Sequence, residues 1–140
     1  MTHSESNRYY PSHPRIGVGV LVWHKNQVLL IKRGQEPAKG EWSMPGGLVE
    51  LGETLADAIH REIFEECSIR IRLHDQLDSF EFIEKDDHNL VKYHYIVLDF
   101  WATYKSGRLT AASDVDDARW FSKEQLTFLD CGEKIKDFVL

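Results

Sequence analysis

The sequence predicts an α/β fold with a mixed β-sheet, and three observations support this prediction. A β-rich hairpin pattern comes first, one long helix pattern follows it, and two further β-rich stretches come after the helix. Since strand patterns lie on both sides of one helix pattern, they can assemble into a sheet with the helix on its face. We expect one domain over residues 15–140 and a flexible N-terminal arm over residues 1–14.

The first two strands form a hairpin in this prediction. The β-branched run over residues 16–23 and the run VLLIKR over residues 28–33 flank a short polar turn, which is typical of antiparallel strands. Residues 34–47 carry two prolines and four glycines. This composition indicates a long loop rather than a regular element.

A helix is predicted from Leu55 to Cys67. Thr54 can accept a hydrogen bond at its start, and the residues that follow are good helix formers. Apolar residues recur at three- and four-residue spacing and predict one buried stripe. The predicted stripe comprises Ala56, Ile59, His60, Ile63 and Cys67.

Strand patterns dominate the chain after this helix. Residues 69–84 and 90–104 are predicted as two long strands joined by the charged turn EKDDHN. A short strand over residues 118–122 comes next, and Ser122 caps a helix that runs through Phe128. The tail KIKDFVL is expected to add a further helical turn.

Composition and charge exclude several classes of protein. The 140 residues include 17 Lys and Arg against 23 Asp and Glu, and the net charge of −6 excludes a basic nucleic-acid surface. No apolar run approaches the roughly 20 residues of a membrane-spanning helix, so we expect no membrane partner and a cytoplasmic location. Cys67 and Cys131 form no CxxC pair and are expected to be reduced thiols.

Three glutamates of the predicted helix form its most informative face. Glu62, Glu65 and Glu66 stand at positions i, i+3 and i+4, so their carboxylates repel one another on one side of the helix. A hard divalent cation, Mg²⁺ or Mn²⁺, would remove this repulsion because it prefers carboxylate and carbonyl oxygens. Taken alone, the three residues would instead indicate a solvated acidic helix face.

The residues before the helix extend this pattern. The segment Pro45-Gly46-Gly47 lets the backbone approach a ligand, because glycine adopts conformations that are closed to other residues. From Gly47 onward, the sequence resembles the Nudix box, G-x5-E-x7-R-E-U-x-E-E-x-G-U, in which U is an aliphatic residue. The matching residues are Gly47, Glu53, Arg61, Glu62, Ile63, Glu65, Glu66 and Ile69.

The one departure from the box is Ser68, which stands where the family has its second glycine. That glycine ends the helix and can take a positive φ, a conformation that costs serine more. We expect a shorter or differently terminated helix and a modest loss of stability. No metal ligand is lost by this change.

The resemblance implies a Nudix-type α/β/α sandwich over residues 15–140. Members of this family hydrolyse a nucleoside diphosphate that is linked to another moiety, and the implied mechanism is attack of water on one phosphorus, assisted by Mg²⁺ or Mn²⁺. Carried over residue by residue, the implied metal ligands are Glu62, Glu65, Glu66 and the backbone carbonyl of Gly46, with Glu53 and Arg61 in supporting roles.

The group that activates the water stays open among three candidates. These are Glu62, Glu65 and Asp114, which lies just before the predicted strand ARWFS. For the substrate, the sequence offers Gly47 at the loop and Arg33 for a phosphate. Aromatic candidates for the base are Trp42, Phe80, Phe82, Tyr93, Tyr95 and Trp101, of which we expect at most one or two to meet a ligand.

The segments HPRIGVGV, GEWSMPGGLVELGET and ARWFS resemble most the ADP-ribose pyrophosphatase subgroup. The expected partner is therefore a small nucleoside diphosphate derivative. One alternative is an enzyme that cleaves normal or oxidised nucleoside triphosphates to monophosphate and pyrophosphate. Another is a non-catalytic nucleotide-binding module, against which the intact carboxylates argue. The oligomeric state stays open, with a homodimer as one expectation.

Overall fold

The computed structural model describes residues 8–140, and this part of the chain contains seven strands and three helices. The order of the elements confirms the predicted α/β class. The elements are β1 (Arg15–His24), β2 (Gln27–Arg33), β3 (Trp42–Ser43), β4 (Gly46–Leu48), α1 (Leu55–Cys67), β5 (Arg70–Lys85), β6 (Val91–Ser106), β7 (Val115–Ser122), α2 (Lys123–Phe128) and α3 (Glu133–Val139).

The strands form one mixed sheet in the order β3-β2-β1-β6-β5. Strand β4 also pairs with β1, and β7 pairs with β2. The β1–β6 pair is parallel, and the other pairs are antiparallel. Strand β1 therefore lies at the centre of the sheet, with the loop strand β4 on one side and β6 on the other.

Helices cover both faces of this sheet. Alternate residues of β1, such as Val20, face a core that includes Ile59 and Ile63 of α1. The intervening Leu21 faces a second core that includes Leu126 of α2 and Ile135 of α3. The fold is therefore an α/β/α sandwich with a mixed sheet, as predicted.

Helix α1 has the predicted bounds but buries a different stripe. Ala56 and His60 are exposed, contrary to the prediction. His60 follows Ile59 by one residue, which turns it about 100° around the helix and away from the sheet. The buried residues are Ala58, Ile59, Ile63, Glu66 and Cys67.

The C-terminus of α1 corrects the expectation for Ser68. This residue takes the left-handed conformation itself, with φ 63° and ψ 23°, and its N–H donates to Phe64 O at 2.9 Å. The helix is therefore not shortened, and it ends as it would with glycine. The expected cost in stability stays a prediction.

The segment over residues 34–47 is more regular than predicted, because β3 and β4 lie within it or begin there. Ser43 pairs with Ile31 of β2, and Gly46 pairs with Gly19 of β1. The last strand is also longer than predicted, since β7 begins at Val115. Strands β3 and β4 comprise only two and three residues, which is too few for a recognisable strand pattern in the sequence.

The described part of the N-terminal arm contacts the β5–β6 hairpin. Tyr10 N–H donates to Lys92 O at 2.9 Å, and the Tyr10 hydroxyl donates to Asp86 at 2.6 Å. The Tyr9 ring packs edge-on against Tyr93. These contacts hold Tyr9 and Tyr10 against the hairpin. The flexibility of the arm stays a prediction, and residues 1–7 lie outside the described residues.

None of the helices within residues 8–140 combines the length and the apolar character needed to cross a membrane.

Candidate active site

Arg61 donates hydrogen bonds both to the loop before α1 and to α1 itself. Its Nε donates to Glu53 Oε2 at 2.7 Å and its Nη2 donates to Glu53 Oε1 at 2.9 Å. The same guanidinium donates to Leu48 O at 3.0 Å and to Glu62 Oε1 at 2.7 Å. One planar side chain thus ties the loop before α1 to a carboxylate on the helix.

The Glu53–Arg61 pair is ionised over a wide pH range. Hydrogen bonds from Arg61 lower the pKa of Glu53 to about 2. Hydrogen bonding to Glu53 in turn raises the pKa of Arg61, so the guanidinium keeps its charge. Both residues are therefore suited to hold their neighbours in place rather than to exchange protons.

Glu66 is the most deeply buried carboxylate of the helix face, with 7% of its surface exposed. Its Oε1 accepts a hydrogen bond from Gly46 N–H at 3.0 Å, which joins α1 to β4. Burial raises the pKa of Glu66 to about 8, and the like charge of Glu62 adds to the rise. A cation bound at this position would therefore favour the charged form of Glu66.

Glu62 lies directly against the backbone of Gly47. A Cβ at Gly47 would overlap the carboxylate of Glu62, so this position accommodates glycine because it has no side chain. Burial raises the pKa of Glu62, and the hydrogen bond from Arg61 opposes that rise. Gly47 thus leaves room for the Glu62 carboxylate, while the missing side chain of Gly46 lets β4 lie close to the backbone of Val18 and Gly19.

A cavity of about 560 Å³ brings together six of the predicted site residues other than the aromatic candidates. It lies where β4 meets the side of α1 that carries the carboxylates. The six residues are Arg33, Gly46, Gly47, Glu62, Glu66 and Asp114.

Asp114 reaches this cavity through long-range strand pairing. It directly precedes β7, which pairs with β2, and Asp114 O accepts a hydrogen bond from Gly34 N–H at 3.1 Å. A Cβ at Gly34 would overlap Asp114 O, so the two backbone segments are in close contact. Arg33, the neighbour of Gly34, donates from Nε to Pro37 O at 2.7 Å.

Two predicted residues are placed elsewhere. The Glu65 side chain is 51% exposed and lies 3.5 Å from Arg61 Nη1, on the outer side of the guanidinium. Trp42 packs edge-on against Phe121, with ring centroids 5.0 Å apart, and belongs to the second core. This position does not support a contact between Trp42 and a substrate base.

The donor set fits a hard divalent cation in its chemistry. Glu62, Glu66 and Asp114 supply carboxylate oxygens to one cavity, and their mutual repulsion contributes to the raised pKa of Glu66. Within residues 8–140, no three acidic, His or Cys side chains are close enough to enclose an ion as they are placed. Arg61 and Gly46 N–H hold Glu62 and Glu66 instead.

Sequence reasoning missed four charged residues that line the same cavity: Arg8, Glu41, Asp99 and Lys134. A lone aspartate inside the apolar strand pattern YIVLDFWA was the signal that could have drawn attention to Asp99. Three of the aromatic candidates also line the cavity, and the expectation that at most one or two of them meet a ligand stays a prediction. The three candidates are Phe80, Phe82 and Tyr95.

The fold and the site define an α/β/α hydrolase domain with a carboxylate-lined cavity beside a glycine-rich loop. Residues 13–139 match the NUDIX domain. The chain therefore belongs to the Nudix hydrolase family, whose members act on pyrophosphate bonds.

Individual relatives agree with this assignment. The chain is 33% identical over 129 residues to an ADP-ribose pyrophosphatase of Methanocaldococcus jannaschii. This alignment covers 91% of the chain and 74% of the relative. It is 28% identical over 130 residues to the NAD-capped RNA hydrolase NudC of Pseudomonas syringae, of which it spans 44%. The crystal structure of a MutT NUDIX hydrolase from Burkholderia pseudomallei superimposes with a TM-score of 0.71 at 28% identity, over 81% of this chain and 87% of that one.

Proposed function

We propose that this Nudix hydrolase cleaves the diphosphate of a nucleoside diphosphate derivative, with ADP-ribose as the preferred substrate and Mg²⁺ or Mn²⁺ as the cofactor. The observation that carries the proposal is a single cavity that holds both the buried carboxylates and an aromatic wall. Carboxylates suit a metal-assisted reaction at phosphorus, and the wall suits a stacked base. The name of the Methanocaldococcus jannaschii relative supports the choice of ADP-ribose.

The residues that would hold the cation are Glu62, Glu66, the carbonyl of Gly46 and, from the outer side, Glu65. When bound, a divalent cation neutralises charge on the phosphate oxygens and so favours attack by water. It would also favour the charged form of Glu66, whose pKa is raised by burial and by the charge of Glu62. Binding of an anionic substrate and binding of the cation are therefore expected to be linked.

The side chains of the chain have separate roles in this proposal. Arg61 orients Glu62 and fixes Glu53 at the loop. Arg33, which lines the cavity, offers a positive charge to a phosphate. Asp114 accepts a proton from the attacking water at its carboxylate, or Glu62 or Glu65 does so in its place.

The reaction balances as a hydrolysis. An oxygen of water forms a bond to one phosphorus, and the bond from that phosphorus to the bridging oxygen breaks. The bridging oxygen leaves with the other phosphate group. ADP-ribose and water then give AMP and ribose 5-phosphate.

A substrate panel with product identification tests this proposal. ADP-ribose, NAD, nucleoside triphosphates and NAD-capped RNA are each incubated with the protein and Mg²⁺, and the products are identified by chromatography. We expect ADP-ribose to exceed the triphosphates at least tenfold in kcat/KM. If release of pyrophosphate from a triphosphate is the fastest reaction, the proposed substrate class is wrong. If capped RNA is turned over, the expectation that nucleic acid is no partner is wrong.

A further inference from the structure

A second polar cluster lies in the cavity and takes no part in the proposed hydrolysis. Asp99 of β6 has a side chain that is only 2% exposed, and the strand register places it opposite Asp78 of β5. Lys134 of α3 reaches over both residues. Its Nζ contacts Asp99 Oδ2 and lies 3.3 Å from Asp78 Oδ2.

The cluster holds more acceptor atoms than its one ammonium group can bind. Within the described residues, Asp78 Oδ1 is buried and has no hydrogen-bond partner, while Lys134 Nζ is shared between the two carboxylates. Two carboxylates face one ammonium group, and burial raises the pKa of Asp99 while Lys134 opposes that rise. Buried polar atoms without partners are uncommon in proteins, so a ligand that supplies both a donor and an acceptor would complete the cluster.

The strand register sets the distance from this cluster to the hydrolytic carboxylates. Gly46, which donates to Glu66, pairs with Gly19 of β1, and Gly19 pairs with Asp99. Gly46 and Asp99 are therefore separated by two strand spacings, about 10 Å. A Cβ at Gly19 would overlap Asp99 Oδ1, so glycine leaves space for the carboxylate at this position. A ribose and a phosphate can lie between the two ends.

One aromatic ring lies beside the cluster, and two more lie four residues farther along the same two strands, about 13 Å away. Lys134 Nζ lies 3.3 Å from the centre of the Phe80 ring, and the rings of Phe82 and Tyr95 are close to parallel on the neighbouring strands. All three rings line the cavity. The apolar ring of Phe80 next to charged donors and acceptors suits a nucleobase better than a phosphate, which the excess of carboxylates repels.

We propose that Asp99 and Lys134 form the base-recognition subsite of this enzyme. Asp99 accepts a hydrogen bond from the exocyclic amino group of an aminopurine, and Lys134 donates to the adjacent ring nitrogen. The base packs against Phe80, the ring that lies beside the cluster. This inference rests on the proposed function, because it assigns the end of a nucleoside diphosphate derivative that lies away from the scissile bond.

Calorimetric titration of the proposed product tests the subsite without turnover. AMP is compared with purine riboside 5′-monophosphate, which lacks the amino group, and with ribose 5-phosphate, all in the presence of Mg²⁺. The wild-type protein should bind AMP about tenfold more tightly than the purine analogue, since one hydrogen bond to a charged group is at stake. Asp99→Asn should reduce this preference to about threefold or less.

Lys134→Met provides a second, independent variant. It should weaken the binding of AMP about tenfold. Lys136→Met, on the same helix, is the matched control and should bind AMP like the wild type. Melting curves establish that each variant is folded, and Lys134→Met decides the matter if Asp99→Asn does not fold. An unchanged preference for AMP in the folded variants, or a selective loss of ribose 5-phosphate binding, would overturn the subsite.

The two proposals fail in distinguishable ways. If the protein cleaves no nucleoside diphosphate derivative but its preference for AMP depends on Asp99, the proposed function is wrong and the subsite stands. If it cleaves ADP-ribose while the Asp99 and Lys134 variants keep the wild-type preference, the subsite is wrong and the function stands.

Discussion

Arg61 and Glu53 form a two-point ion pair that closes the loop before α1 onto the helix. The two contacts measure 2.7 and 2.9 Å and use both carboxylate oxygens. Because Arg61 also binds Glu62 and the backbone carbonyl of Leu48, the pair fixes one wall of the candidate site. This relationship leads to a prediction about acid stability.

The metal-free protein should lose stability as pH falls from about 4.5 to about 2. Glu53 has a lower pKa in the folded chain than its ordinary value of 4.5, so the unfolded chain takes up the proton more readily over this range. Glu53→Gln should lower the stability at neutral pH and flatten its decline in acid. Urea unfolding at a series of pH values measures both. An unchanged acid dependence in Glu53→Gln would show that the pair contributes little.

Gly47→Ala should weaken Mg²⁺ binding. The added methyl group would overlap the Glu62 carboxylate and displace it from the cavity. Gly17→Ala is the matched control, because its added methyl group would meet other atoms at 3.6 Å or more. Calorimetric titration with Mg²⁺ should show a loss of about tenfold for Gly47→Ala and little change for Gly17→Ala. Equal affinities in both variants would argue against Glu62 as a ligand.

Ser68→Gly should stabilise the fold. Ser68 has a φ of 63°, a conformation that costs an L-residue energy and costs glycine almost none. The expected gain is about 1 kcal/mol or less, which corresponds to a few degrees in Tm. Ser79→Gly, in the exposed part of β5, should instead lower Tm because glycine weakens a strand. A fall in Tm for Ser68→Gly would contradict this reasoning.

Asp114→Asn should reduce turnover at least tenfold if Asp114 accepts the proton of the attacking water. General bases typically contribute about 10²- to 10⁴-fold. Asp116→Asn changes an exposed residue two positions away and should stay close to the wild type. Steady-state kinetics with ADP-ribose compare the two variants. Near-normal turnover of Asp114→Asn would assign the role to Glu62 or Glu65.

Local patterns predicted most of the fold and the helix carboxylates. The bounds of α1 follow from Thr54, whose hydroxyl accepts from Asp57 N–H at 3.0 Å as the sequence suggested. The spacing of Glu62 and Glu66 places both carboxylates at one cavity. These features are predictable because they depend on residues within one or two helical turns.

Features that depend on distant pairing were harder to predict. Asp99 and Lys134 lie 35 positions apart and meet because α3 folds back over the sheet. Glu65 lies on the outer side of the Arg61 guanidinium. The spacing of the glutamates along the helix does not specify this contact with Arg61. The predicted stripe of α1 contained apolar residues and His60, and His60 is exposed. Such a stripe does not determine which side of the helix faces the sheet.

Turnover of Glu66→Gln with ADP-ribose and Mg²⁺ tests the assignment of the catalytic centre most directly. Glutamine keeps the size of Glu66 and the acceptor for Gly46 N–H but cannot ionise to bind a cation, so kcat should fall about 100-fold or more while the melting curve stays cooperative. Asp57→Asn, in the first turn of the same helix, is the control and should keep normal turnover. Near-normal, Mg²⁺-dependent turnover of Glu66→Gln would contradict the assignment of the carboxylate face of α1 as the catalytic centre.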